Sequence, residues 1–216
     1  MIVAIDGPAG AGKSTIASNL ARKTGFFYLN TGNFYRALTL ALIQNNIDIN
    51  NTDSVIEEAD KHKIDIIDKH VHLDGKDVED KLHSDRVDSL VAQVSTIREV
   101  RNKINSQLHR VSQNQDIIAE GRDMTTVVFT DAEVKIYLDA SIEKRAKRRL
   151  DQGVSEKSLE EIKSGINDRD MIDHNKEFGK LKISDDAIYL NSSDLTIDEV
   201  CEKVMSEIYK NRQNKY

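Results

Sequence analysis

The sequence predicts an α/β fold of three layers, a central parallel sheet of about five strands with helices on both faces, carrying a small inserted subdomain and a helical lid. Three observations predict it. Short apolar runs of strand length alternate with longer segments of helical periodicity. Glycine and asparagine stand where the periodic segments should stop, as at Gly25, Asn45 and Asn46. Near residues 62–90 the texture changes to short strands around a tight turn, which reads as an insertion. At 216 residues the chain can bury one core of ordinary size, so a single domain over 1–216 is expected.

Taken in order, residues 2–5 form a buried strand, a glycine-containing loop follows, and Ile16, Ala17, Leu20 and Ala21 mark a helix. Residues 26–29 are the second strand, and 33–44 carry Phe34, Leu38 and Leu42 at helical spacing. In the insertion, Ile64, Ile66 and Ile67, then Val71 and Leu73, then Asp74-Gly75, predict a hairpin. A polar amphipathic helix is expected over 97–112, a third core strand over 116–119, and a fourth over 134–138. Helices follow over 142–151 and 156–175, with a fifth strand over 187–190. Thr196 and Glu199 have the spacing of a capping box that opens the last helix, on whose apolar face Ile197, Val200, Cys201, Val204 and Ile208 should pack. Cys201 is the only cysteine, so it forms no internal disulfide and is assigned no chemistry.

Composition excludes several classes. A hydrophobic fraction of 38% and a charged fraction of 31% suit a globular chain, and no apolar run reaches spanning length. The N-terminus enters an apolar strand without a basic flank or cleavage site, so a cytoplasmic protein without membrane contact is expected. The net charge of −6 argues against a nucleic acid partner, which would want a positive field. His70 and His72 share one face of a strand but lack further ligands at useful spacing, and a solvated hairpin is the expected reading.

The strongest motif is Gly7-Pro8-Ala9-Gly10-Ala11-Gly12-Lys13-Ser14, with Thr15 next, after a strand and opening a helix. Glycines let the backbone curl so that N–H groups face phosphate oxygens, and the helix N-terminus adds its dipole. Lys13 would reach the β and γ phosphates of ATP, and Ser14 would ligate Mg²⁺. The three-layer fold is therefore expected to be of the P-loop kinase type. No guanine-reading Asn-Lys-x-Asp tetrapeptide is present, which lowers a GTPase reading.

A second anion site is suggested by Thr31-Gly32-Asn33-Phe34-Tyr35-Arg36, a helix start followed by a guanidinium fork, although a plain N-cap with an exposed arginine reads the same way. Glu120-Gly121-Arg122-Asp123 closes a buried strand at the edge where parallel sheets bind ligands. Glu120 suits an acidic residue near Mg²⁺, acting through water, or a surface turn. Arg122 could clamp a phosphate, and Asp123 could accept from an exocyclic amine, as on cytosine. Arg145, Arg148 and Arg149 lie on one helix face, either as a solvated basic surface or as lid arginines that neutralise a transferring phosphoryl group. Arg169, Asp173 and Lys176 repeat that spacing, with internal ion pairing as the alternative.

Residues 6–15 of the glycine loop, Thr-Gly-x-x-Tyr-Arg at 31–36, Gly-Arg-Asp-Met-x-Thr-Val-Val-Phe at 121–129 and Arg-Asp-x-x-Asp at 169–173 together resemble bacterial cytidylate kinases, in family order and over nearly the whole chain. The resemblance implies an NMP-binding subdomain at about 62–90 and a lid at about 145–170. It also implies in-line transfer of the γ-phosphoryl group from MgATP to CMP or dCMP by a monomer acting on small nucleotides. It puts Arg36 and Arg122 on the acceptor phosphate, Arg101 and Asp123 on cytosine, and Arg169 and Asp173 near the ribose, with Thr31, Tyr35 and Lys176 beside them. Lys13, Arg145, Arg148 and Arg169 would stabilise the transition state. Asn30, Ala92, Thr125, Thr130 and Lys176 depart from the family pattern. The competing readings are a kinase for another acceptor, such as UMP, and a P-loop ATPase or regulatory nucleotide-binding module.

Overall fold

The computed structural model describes residues 1–151, 153 and 158–213. The chain folds as two compact units, Met1–Leu29 with Gln115–Tyr216, and Asn30–Asn114. Among the described residues, no helix is long and apolar enough to cross a membrane.

The first unit is built on a sheet of β1 (Ile2–Asp6), β2 (Phe27–Asn30), β6 (Ile117–Gly121), β7 (Val134–Asp139) and β8 (Ile188–Asn191), in the order β2-β6-β1-β7-β8. β1 runs parallel to β6 and β7, and β7 runs parallel to β8. The expected five-stranded parallel sheet with helices around it is what forms. Strand alternation sorts its side chains. Val3, Ile5, Ile118, Val134, Ile136 and Leu138 pack on α1 (Lys13–Thr24) and α8 (Ile197–Gln213) through Ile16, Ala17, Leu20, Val200, Cys201, Val204 and Ile208.

Local chemistry fixes the ends of these helices. Gly25, at φ 75°, closes α1 and donates its N–H to the Ala21 carbonyl, while Thr196 and Glu199 bond reciprocally before α8. Cys201 is fully buried, as its position on the apolar face predicts, but Ile197 is half exposed and does not join that face. Helices α6 (Ile142–Asp151) and α7 (Leu159–Asn175), over which the lid was expected, pack through Ala146, Ile162 and Ile166, and Ser158 with Glu161 caps α7. Residues 152 and 154–157, which fall within the expected lid, lie outside the described residues.

The second unit contains α2 (Thr31–Gln44), α3 (Thr52–Lys61), β3 (Ile64–Ile67), β4 (His70–Leu73), β5 (Lys76–Asp77), α4 (Asp85–Val94) and α5 (Arg98–Ser112). Its three strands form an antiparallel sheet in sequence order. Asp74 and Gly75 both take positive φ, 51° and 78°, as the predicted hairpin turn requires. Asp68 and Lys69 do the same at the other turn without a glycine. The sequence reading did not predict α3 or α4. α3 is nonetheless capped by the Asn51 side chain, which accepts from the Ser54 N–H at 3.1 Å.

Candidate active site

The glycine loop lies between β1 and α1. Its tight curl is set by close approach: a Cβ on Gly7 would stand 2.0 Å from the Leu138 carbonyl oxygen of β7, and one on Gly10 would stand 3.2 Å from Arg145 Cβ. Only glycine lets the loop lie this near the sheet edge. Lys13 is buried and its Nζ donates to the Pro8 carbonyl at 2.8 Å, which folds the side chain back over the loop. Burial pushes its ammonium down to about 7, with repulsion from Arg122 adding to the fall and Glu120, Asp173 and Asp6 opposing it. An anion placed beside Lys13 would remove that penalty, so the loop suits a phosphate ligand. Ser14 and Thr15 are exposed at the first turn of α1.

Two arginines of α6 reach this loop. Arg145 is buried, and its guanidinium donates to the carbonyls of Ala140 and Ala9 and to Asp170 Oδ2, at 3.0, 2.8 and 2.5 Å. Asp170 Oδ1 in turn accepts from the Ala9 N–H at 3.0 Å, so both backbone groups of Ala9 are held by α6 and α7. Arg148 donates to the Ala11 carbonyl and to Ser192. Arg149 is exposed, which divides the expected row of three guanidinium groups.

At the end of β6 the structure brings Arg122, Arg169, Asp173 and Lys176 together. Asp173 is fully buried; Oδ2 accepts from Arg122 Nε at 2.8 Å and Arg169 Nε at 3.2 Å, and Oδ1 accepts from Lys176 Nζ at 3.1 Å. Burial would raise its pKa, but Arg122, Arg169 and Lys176 together hold it well below the usual carboxylate range. Glu120 is buried and accepts from the Tyr28 hydroxyl at 2.9 Å. Asp123 is buried at the start of a single π-helical turn, Met124–Val128, which the sequence did not predict.

The remaining expected residues lie in the second unit. Thr31 begins α2 and is buried. Arg36 of α2 pairs with Asp88 of α4 and donates to the Leu82 carbonyl at 3.4 Å. Arg101, fully buried, donates to the Ser95 carbonyl at 2.9 Å and has its guanidinium carbon 5.3 Å from the Tyr35 ring centroid.

The family model for cytidylate kinase matches residues 3–210. This chain belongs to the cytidylate kinase family. It is 39% identical over 212 residues to the cytidylate kinase of Caldanaerobacter subterraneus subsp. tengcongensis, covering 97% of this chain and 95% of the relative. It is 40% identical over 222 residues to that of Lactobacillus johnsonii, covering 99% and 96%. Among solved structures, an uncharacterized protein from Eubacterium ventriosum superposes with a TM-score of 0.52 at 13% identity over 97% of this chain and 98% of the other, a likeness of fold alone.

Within this member of the cytidylate kinase family, several polar residues that partner the expected site residues of each unit went unassigned by the sequence reading. Asp170 sits inside the Arg-Asp-x-x-Asp motif and Asp6 at the head of the glycine motif, yet neither position carried a role. Asp88 and Ser192 meet Arg36 and Arg148 across 52 and 44 residues of chain, and no local pattern announces such partners.

Proposed function

We propose that this chain transfers the γ-phosphoryl group of ATP to CMP or dCMP, giving ADP and CDP or dCDP, by direct in-line attack of an acceptor phosphate oxygen on the γ-phosphorus. The observation that carries the proposal is the buried Lys13 on a glycine loop, set among Arg122, Glu120 and Asp173, in a chain of the cytidylate kinase family. The attacking oxygen is already anionic near neutral pH, so no general base is required. Positioning and charge neutralisation supply the rate.

In this reading residues 7–15 cradle the ATP phosphates, and Lys13 exchanges its bond to the Pro8 carbonyl for one to phosphate. Arg145 and Arg148 hold the loop carbonyls and, with Arg169, face the transferring charge. Arg36 and Arg122 bind the acceptor phosphate, Arg101 and Asp123 read cytosine, and Thr31, Tyr35, Arg169, Asp173 and Lys176 complete acceptor binding. Arg122 and Arg169 exchange part of their hold on Asp173 for substrate.

Among the described residues no group of three or more His, Cys, Asp or Glu side chains could hold a metal ion. Mg²⁺ suits this site nonetheless, because it takes few protein ligands and completes its shell with phosphate oxygens and water. Ser14 and, through water, Glu120 would hold it, and it would neutralise charge between the β and γ phosphates. A monomer in the cytoplasm acting on small nucleotides belongs to the same reading, and the net charge of −6 supports the absence of a nucleic acid partner.

The test is a coupled ADP-release assay with MgATP and, separately, CMP, dCMP, UMP, AMP, GMP and no acceptor, repeated with Asp123→Asn. The expected result is turnover that depends on CMP or dCMP, is far slower with UMP, and falls about 10-fold or more in the variant, as loss of one base contact implies. Equal rates with and without every acceptor would leave only an ATPase.

A further inference from the structure

Asp6 is the last residue of β1, fully buried, and it precedes the first glycine of the phosphate loop. Its carboxylate points across the sheet edge into the segment after β6. Oδ1 accepts from the Met124 N–H at 2.8 Å, and Oδ2 accepts from the Thr125 N–H at 2.8 Å and the Thr125 hydroxyl at 2.7 Å. Those donors begin the π-helical turn, whose own ladder runs from the Asp123 carbonyl to Val127 and Val128 and from the Met124 carbonyl to Phe129. The first N–H groups of a helical turn have no partner within it, and Asp6 supplies one from another strand.

A buried carboxylate suffers a desolvation that a neutral side chain would escape. Three converging donors nevertheless fit both oxygens of a carboxylate, and a neutral amide would turn one N–H toward an N–H. The contact joins the start of the ATP loop to the two residues, Arg122 and Asp123, that immediately precede the capped turn.

We propose that Asp6, through Thr125, is a positioning residue for acceptor binding: it fixes the turn that sets where Arg122 and Asp123 stand relative to the phosphate loop. The proposal rests on the kinase reading above. Burial lifts the Asp6 carboxyl to about 6 against the pull of the Thr125 and Met124 bonds, with the charge of Asp123 adding to the rise, and Lys13 and Tyr137 are ionisable groups on which Asp6 acts. The hydrogen bonds therefore offset part of a burial that by itself disfavours the anion.

The experiment compares Thr125→Val, which keeps shape and loses the hydroxyl donor, with Thr125→Ser, which restores it, and adds Asp6→Asn. Two readouts are taken: KM for CMP against KM for MgATP, and amide hydrogen exchange at Met124 and Thr125 against Ala119 in β6. Expected for Thr125→Val is a CMP KM raised about 5–10-fold, the scale of one buried hydrogen bond, with the MgATP KM within about twofold of the parent and Thr125→Ser close to the parent in both. Asp6→Asn should speed exchange at Met124 and Thr125 about 10-fold or more while Ala119 stays protected. An unchanged CMP KM in Thr125→Val, an equal rise in both KM values, or unchanged exchange in Asp6→Asn would overturn the proposal. A parent with no CMP turnover would sink the kinase reading, and the exchange comparison would then decide the Asp6 clamp by itself.

Discussion

A single carboxylate shows how much the site depends on charge balance. Asp173 has no exposure, and three cationic side chains, Arg122, Arg169 and Lys176, close on its two oxygens. Its folded pKa lies below its unfolded value of about 3.9. The stability it lends is therefore fully present above that unfolded value and is lost as pH falls from there through the folded one. Thermal unfolding followed from pH 6 down to pH 2.5 should show Asp173→Asn less stable at pH 6, with a shallower loss on acidification than the parent. An identical slope in the two proteins would deny Asp173 this role. The types at 169, 173 and 176 and their spacing were legible in the sequence, and internal pairing was one of the two readings left open. That Arg122 joins them was not, because 51 residues separate it from Asp173.

Elements carry these residues into place through contacts of a different kind. α6 and α7 are tied to the glycine loop by the packing of Ala9 on Ala146, Ile162 and Ile166 and by Arg145 and Asp170, which take both backbone groups of Ala9. Arg145→Met leaves the part-buried Asp170 without its cation and the Ala9 carbonyl without a donor, so a loss of about 2 kcal/mol is expected from urea midpoints. Arg145→Lys should recover little of it, since one ammonium cannot span Ala140, Ala9 and Asp170 as a guanidinium fork does. Helix α4 was missed for a related reason. Its Val87, Val91 and Val94 have helical spacing, but the segment adjoins the short strands expected in the insertion and no element was assigned to it; burial against α2 decides the matter. Helix α3 is short and has only Val55 and Ala59 as buried apolar residues, and its Asn51 cap was the better signal.

For the whole molecule the phosphate loop is the point where ligand and stability meet. MgATP at 100 times its Kd should add about 2.7 kcal/mol to the folded state and raise Tm by about 5–10 °C for a chain of this length. Lys13→Met should remove most of that rise, and a full rise in the variant would show that the loop lysine is not what holds the nucleotide. The sequence by itself determined the parallel α/β architecture, the glycine loop and the capping box of α8, because these rest on periodicity and on chemistry between residues a few positions apart. It also carried enough ordered motifs to place the chain in its family. The tertiary structure alone decided that Asp6 caps a turn more than a hundred residues away, that Asp170 and Arg145 grip one peptide of the loop, and that Arg148 and Arg149 of one helix face differ in burial. Such partners come from strands and helices meeting at a sheet edge, and side chains brought together by the folded backbone leave no periodic trace in the order of residues along the chain.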